Sequence, residues 1–389
     1  MDSVALVDLS PLARMALLGV VLAIGPLAWI WLRHRRAQPA ARLAALTLLT
    51  LFLTFDLVLF GAFTRLSDSG LGCPDWPGCY ASASPWGAQD AIQSAQDAMP
   101  TGPVTHVKAW IEMTHRYLAT AVGVLITVLA VWSWIEYRRG RSRVSPWWPS
   151  ATLLWVCVQG AFGALTVTMK LYPAIVTLHL LGGLGLIALL AVQSQHYRVD
   201  AGAPLPQMSR GVLAGTALVF VLVWAQVALG GWVSTNYAVL ACRDFPTCQG
   251  AWWPTMDFDH GFAVLRELGA GKDGGYLPFA ALTAIHMVHR LGALVVFAAL
   301  LVLIQRLAVS GHALQRRWAW TLGAVALWQF ASGLGNVVLG WPIAAALAHT
   351  GGAAALIGVL ASMLARAMRP AAALAESPAR RRELPPVAA

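Results

Sequence analysis

Nine stretches of this chain are each long and apolar enough to cross a bilayer, and that restricts the backbone to very few solutions. They lie near 14–32, 42–63, 108–134, 147–168, 174–193, 211–233, 280–305, 317–339 and 343–365. A helix needs about 20 apolar residues to span the hydrocarbon, whereas a barrel strand needs only about 9–11. Only helices and closed barrels satisfy their backbone in lipid, so runs of this length are read as helices. Composition agrees: 58% of the 389 residues are hydrophobic and 11% charged, against about 25% charged in a soluble domain.

Basic residues set an expected orientation. Of the 27 Lys and Arg, 18 fall between spans one and two, three and four, five and six, and seven and eight, or after span nine. They are Arg33, Arg35, Arg36, Arg42, Arg138, Arg139, Arg141, Arg143, Arg198, Arg210, Arg306, Arg316, Arg317, Arg366, Arg369, Arg380, Arg381 and Arg382. The alternate loops hold six: Arg65, Lys108, Lys170, Arg243, Arg266 and Lys272. The positive-inside rule places the first set and the C-terminus in the cytoplasm. The net charge of +10 is thus a topology signal, and no nucleic-acid partner is expected. The start, Met-Asp-Ser with Asp8, resembles neither a basic secretory leader nor an acid-poor presequence, so 14–32 is read as an extra span. The Ala-, Pro- and Arg-rich tail is expected to be disordered.

The other eight spans form a duplication. Residues 73–79 read Cys-Pro-Asp-Trp-Pro-Gly-Cys and residues 242–248 Cys-Arg-Asp-Phe-Pro-Thr-Cys. Met113-x-His115-Arg116, Gln159-x3-Gly163, His179 and Gly182 follow the first. Met287-x-His289-Arg290, Gln329-x3-Gly333, His349 and Gly352 follow the second. The implied fold class is an all-α integral membrane protein. Two tandem four-helix transmembrane bundles would be related by a pseudo-two-fold axis along the membrane normal, with one extra N-terminal transmembrane helix. The expected units are 1–41 (extra helix and basic loop), 42–193 and 211–365 (the two halves), 194–210 (linker) and 366–389 (tail).

Chemistry concentrates in the repeated residues. His115, His179, His289 and His349 sit at similar depth toward the outer ends of their spans, two per half. Ionisable residues inside a membrane are rare and mark function, and imidazole is the usual axial ligand of heme. The pattern reads as redox chemistry on two hemes. Glu112 precedes His115 by one helical turn and suits proton transfer or stabilisation of a developing cation, or a structural pairing with a neighbouring Arg. Its counterpart is His286, either a residue that supports His289 from behind or a rival ligand to it. Arg65, Arg116 and Arg290 suit carboxylates such as heme propionates, and Arg65 equally suits an interface anchor. Cys73 and Cys79, and Cys242 and Cys248, face outward, where disulfides persist. Each pair is expected to form a tight intraloop disulfide, either redox-active or a structural staple. Their spacing is too wide for a thioredoxin-type motif, and zinc lacks further ligands. Cys157, within a span, reads as a small packing residue.

Taken together, these residues resemble the heme A synthase family. The specific matches are Gly61-x-x-Thr64-Arg65-Leu66-x-x-Ser69-Gly70-Leu71-x-Cys73-Pro74-Asp75-Trp76-Pro77-x-Cys79, Glu112-x-x-His115-Arg116, His179-Leu180-x-Gly182-Gly183, His286-x-x-His289-Arg290 and His349. The resemblance covers about residues 42–365. It implies oxidation of the C8 methyl of heme O to a formyl group, giving heme A for cytochrome c oxidase. It also implies that His115 and His179 flank substrate heme O with Glu112 catalytic, that His289 and His349 ligate the iron of a heme B cofactor, and that the first cysteine pair takes part in electron or thiol exchange. The implied setting is the bacterial inner membrane, with cysteine loops periplasmic. The implied partners are the lipid bilayer, heme O synthase (protoheme farnesyltransferase) upstream, the cytochrome oxidase assembly route and a further copy of the chain. Two rival readings are a di-heme electron carrier of the cytochrome b561 kind and a heme-free thiol oxidoreductase or transporter.

Overall fold

The computed structural model describes residues 10–206, 208–272 and 275–368. Asp8 and the tail from residue 369, with Arg369, Arg380, Arg381 and Arg382, lie outside the described residues. Among the described residues there is no strand, only isolated bridges at Cys79/Ser82, Cys248/Ala251 and Ala270/Tyr276. Nine helices among them are long and apolar enough to cross a membrane, as expected of a multi-pass membrane protein. They are α1 (Ser10–His34), α2 (Pro39–Leu66), α3 (His106–Arg138), α4 (Trp147–Thr168), α5 (Pro173–Asp200), α6 (Arg210–Thr235), α7 (Phe279–Ala308), α8 (Ala313–Val338) and α9 (Ile343–Ala367).

Local chemistry sets the ends of these helices. Pro opens α2 and α5, where its missing N–H costs nothing. Thr105 and Ser209 cap α3 and α6 by accepting from the Lys108 and Val212 amides at 3.3 and 3.2 Å. The last turns of α2, α3, α5, α7 and α9 carry Arg65, Arg138, Arg198, Arg306 and Arg366, which favours the negative end of the helix dipole. The helices outrun the apolar stretches because such polar ends continue the hydrogen bonding past the hydrocarbon.

Helix α2 packs on α3 and α5, and α4 on α3 and α5. In the same way α6 packs on α7 and α9, and α8 on α7 and α9. Between these two sets α5 meets α6 and α9, and α2 meets α9. Two large apolar clusters lie toward the C-terminal ends of the odd-numbered helices. One joins Leu125 and Leu129 of α3 to Leu186 and Leu190 of α5. The other joins Leu300 and Leu303 of α7 to Ile357 and Leu360 of α9. Dense packing at that end leaves the opposite end, beside the cysteine loops, for the histidines. Several buried polar groups pair across the helices. Gln193 donates to Thr47 (3.3 Å) and accepts from Thr152 (3.3 Å), tying α5 to α2 and α4. Ser133 and Tyr197 pair at 2.6 Å.

Helix α1 docks on α3 and α2. A Cβ at Gly19 would come within 2.6 Å of Thr120, so the absent side chain is what admits α3. Two features depart from the sequence reading. Cys157 is exposed on α4 and does not pack inside the helices. The first cysteine loop carries a helix of its own, Gln89–Ala98, which its polar composition did not announce. Ile92 is its buried residue, and the apolar positions Ala91, Ile92, Ala95 and Ala98 fall on one face at helical spacing.

Candidate functional site

The four histidines lie at two matched levels. His115 and His289 fall nine and ten residues after the first residue of α3 and α7, and His179 and His349 six after that of α5 and α9. Each imidazole lies against a glycine on the preceding helix. A Cβ at Gly61 would sit 2.9 Å from His115 Cε1, at Gly163 3.3 Å from His179, at Gly230 3.0 Å from His289 and at Gly333 3.1 Å from His349. These spacings are tighter than ordinary van der Waals contact, so any side chain would push the ring. His115 is within electrostatic reach of His179, and His289 of His349. None of the four histidines is fully buried as a residue.

The two cysteine loops are copies in atomic detail. Cys73 bonds Cys79 (S–S 2.06 Å) and Cys242 bonds Cys248 (2.01 Å), and all four are fully buried. Inside each loop an aspartate caps the turn. Asp75 accepts from the Tyr80 and Ala81 amides at 2.6 and 2.7 Å. Asp244 accepts from Gln249 and Gly250 at 2.8 and 2.9 Å, and from the Thr247 hydroxyl at 2.6 Å. Those donors, the Thr247 hydroxyl foremost, hold the Asp244 carboxyl down at about 2.

An arginine clamps each loop to its histidine helix. Arg116 Nη1 donates to the carbonyls of Asp75 (3.0 Å), Pro77 (3.1 Å) and Gly78 (2.5 Å). Arg290 donates to Thr247 (2.8 Å), Cys242 (3.2 Å) and Asp244 (2.9 Å). Glu112 completes the first clamp. Its Oε1 pairs with Arg116 and its Oε2 accepts from the Cys73 amide at 2.8 Å. The carboxylate therefore stands between the disulfide and the turn that carries His115. His286, in the corresponding place, is buried with Nδ1 3.1 Å from the Ala238 carbonyl. Arg65 donates to the Ser234 carbonyl (2.8 Å) and stacks on Tyr237 (4.0 Å). All three arginines are thus engaged with protein groups, and this geometry lends no support to the propionate role expected of them.

Among the described residues, no three His, Cys, Asp or Glu converge as a bare metal site. Two imidazoles within electrostatic reach of each other in each half suit a planar tetrapyrrole instead, because it brings its own four equatorial nitrogens and needs only axial ligands. The donor set and the glycine-backed rings fit a heme in each half. A family model of cytochrome oxidase assembly proteins, COX15-CtaA, matches residues 44–361. The chain belongs to this family. Among the similar curated proteins, "Heme A synthase" of Shewanella oneidensis is 38% identical over 320 residues, covering 81% of this chain and 93% of that protein. "Heme A synthase" of Halalkalibacterium halodurans is 26% identical, covering 75% and 86%. That of Caulobacter sp. is 28% identical, covering 87% and 99%.

In this cytochrome oxidase assembly protein, the repeat comparison paired Gln159 with Gln329 without giving them a role, and it passed over Gln226. Gln159 Nε2 donates to the His179 carbonyl (2.6 Å) and lies 3.0 Å from His179 Nδ1. Gln226 Nε2 does the same for His289, at 2.9 and 3.0 Å. Gln329, with its amide turned to satisfy both ends, donates to the His349 carbonyl at 2.8 Å, while Ser332 lies 3.2 Å from His349 Nδ1. Gln226 has no counterpart at the matching position of α2, which is Leu57, so comparison of the two halves passed over it. The signal that finds it is shorter: Gln-x3-Gly on one helix and His-x2-Gly on the next.

Proposed function

We propose that this chain makes heme A for cytochrome oxidase by oxidising the C8 methyl of heme O to a formyl group. The observation that carries this reading is the pair of glycine-backed histidine sites at corresponding places. The heme A synthase names of relatives that match across most of their length support it. In this reading His115 and His179 hold substrate heme O in the half 42–193. His289 and His349 hold the iron of heme B in the half 211–365, with His286 behind His289. The segments 1–41, 194–210 and 366–389 are the added helix, the linker and the tail. When bound, heme B supplies one-electron redox chemistry. The chain's own part would be to hold each heme between its two histidines, with Nδ1 of His179, His289 and His349 engaged by Gln159, Gln226 and Ser332, and to place the Glu112 carboxylate one turn from His115. The repeated packing of α2–α5 and α6–α9 supports two four-helix bundles about a pseudo-two-fold axis. Charge asymmetry supports cysteine loops in the periplasm and basic loops in the cytoplasm of the bacterial inner membrane. Heme O synthase, as the source of the substrate, is the upstream partner, and a second copy of the chain is a further partner.

Pigment extraction tests this. Protein purified from a heme O-producing host should yield heme B together with heme O or heme A on mass spectrometry. Heme B alone would favour a di-heme electron carrier, and absence of heme would favour a thiol oxidoreductase or transporter.

A further inference from the structure

The Gln–Gly lock occurs three times among four equivalent helix pairs. Gln159 and Gly163 on α4 face His179 and Gly182 on α5. Gln226 and Gly230 on α6 face His289 and Gly292 on α7. Gln329 and Gly333 on α8 face His349 and Gly352 on α9. In each, the glutamine lies four residues before the glycine that backs the ring. Its amide head fills the place that a side chain at the glycine three residues after the histidine would take. The lock grips the histidine backbone in all three, and the Nδ1 of each of these rings is within 3.2 Å of a glutamine amide or a serine hydroxyl.

The fourth pair, α2 and α3, keeps the backing glycine, Gly61, and the histidine, His115. Leu57 stands where the glutamine would be and Leu118 where the second glycine would be. His115 Nδ1 is buried without a hydrogen-bond partner. The flat neighbour of its ring is Phe60, parallel to within 7° at a centroid distance of 6.3 Å. A phenyl face limits tilt but supplies no hydrogen bond.

We propose that His115 is the exchangeable axial ligand of the first-half heme, and that Gln159, Gln226 and Gln329 are positioning residues that make the other three ligands permanent. The inference rests on the histidine pairs holding hemes as proposed above. Its reason is general. A ligand imidazole whose second nitrogen is hydrogen-bonded has its orientation fixed and its basicity raised, and losing that partner costs about 10–100-fold in metal affinity. A site that takes in one heme and releases another needs one bond that yields. A cofactor site does not, and the second half has both locks.

Carbon monoxide reads this without reference to turnover. It competes for ferrous heme against an axial imidazole, so its affinity reports how firmly the weaker imidazole holds. The first half is isolated in H289A/H349A protein and the second in H115A/H179A protein. Each is loaded with hemin, reduced with dithionite and titrated with carbon monoxide. The first half should bind it about 10-fold or more tightly than the second. Q226L should raise the affinity of the isolated second half. L57Q/L118G should lower that of the isolated first half. Equal affinities in the two halves, or a Q226L second half that keeps heme with unchanged affinity, would overturn the proposal even if the paired variant failed to fold. Heme that bound to neither isolated half would instead overturn the ligand assignment on which the proposal rests, and the proposal with it.

Discussion

At the scale of single residues, Glu112 has two roles to separate. It is buried, and both oxygens are engaged, by Arg116 and by the Cys73 amide. Glu112→Gln keeps an acceptor for Cys73 but turns an amide N–H₂ toward the Arg116 guanidinium, donor against donor. Breaking one side of a buried ion pair costs about 3–5 kcal/mol, so thermal unfolding should move down. Loss of a charge that stabilises the reacting group costs about 10²–10³ in rate. The expected result is therefore heme O, or a partly oxidised product, accumulating in the protein that remains folded, read by mass spectrometry of the bound pigment. A lowered melting temperature with an unchanged product ratio would leave Glu112 as the strut of the cysteine loop. The glycines that back the histidines give a cleaner case. In Gly230→Ala the new methyl meets His289 Cε1 at about 3.0 Å, so the low-spin heme spectrum of the second half should shift or disappear. Gly323→Ala, on α8 with nothing within 4 Å, should leave the spectrum unchanged and gain about 0.5–1 kcal/mol of helix stability.

At the scale of elements, the loops and α1 respond independently. The second cysteine loop depends on Asp244 being ionised, since its carboxylate accepts the Thr247, Gly250 and Gln249 hydrogen bonds. Its folded value, about 2, lies below the ordinary 3.8. The stabilisation is therefore complete above about pH 4 and is lost as the pH falls through about 2. Hydrogen exchange at the Gln249 and Gly250 amides should be protected to the same degree from neutral pH to about pH 4, after allowance for intrinsic rates, and lose protection only below that. The first cysteine loop has an added cover. Met15 of α1 joins Cys73, Cys79 and Met113 in one apolar cluster, and Pro11 lies 3.3 Å from where a Cβ at Gly78 would be. Gly19→Leu should lift α1 from Thr120 and speed reduction and alkylation of Cys73 and Cys79, leaving Cys242 and Cys248 at their original rate. Equal rates at both disulfides in this variant would show that α1 does not shield the loop.

At the scale of the whole molecule, the two sets of four helices meet through matched positions. Arg65 of α2 reaches Ser234 at the end of α6, and Tyr237 donates to Asp68 at 2.7 Å. Each of these pairs is 169 residues apart, as are the two cysteine motifs in the sequence. Residues that correspond in the two repeats thus touch one another. Thr177 and Thr235 pair at 3.1 Å in the same region, joining α5 to α6. The histidines lie beside this junction, at the ends of the helices away from the large apolar clusters.

The apolar runs alone determined that the chain is helical and how many times the described part can cross a membrane, because lipid leaves the backbone no other way to satisfy its hydrogen bonds. The duplication determined which histidines to compare, because equal spacing in two copies picks them out from packing residues. Tertiary structure decided what the charged neighbours do. Arg116 and Arg290 looked available for an acidic ligand, yet they hold loop carbonyls brought to them from about 40 residues away, and no local pattern encodes that approach. Cys157 looked like core and faces outward, because periodicity in a helix apolar all round does not say which side meets lipid. The glutamine lock was present in the sequence throughout. It became visible only when packing showed that a side chain on one helix fills the space a glycine leaves on the next. The same packing showed that, of the four repeated histidines, His115 is the one that lacks this arrangement.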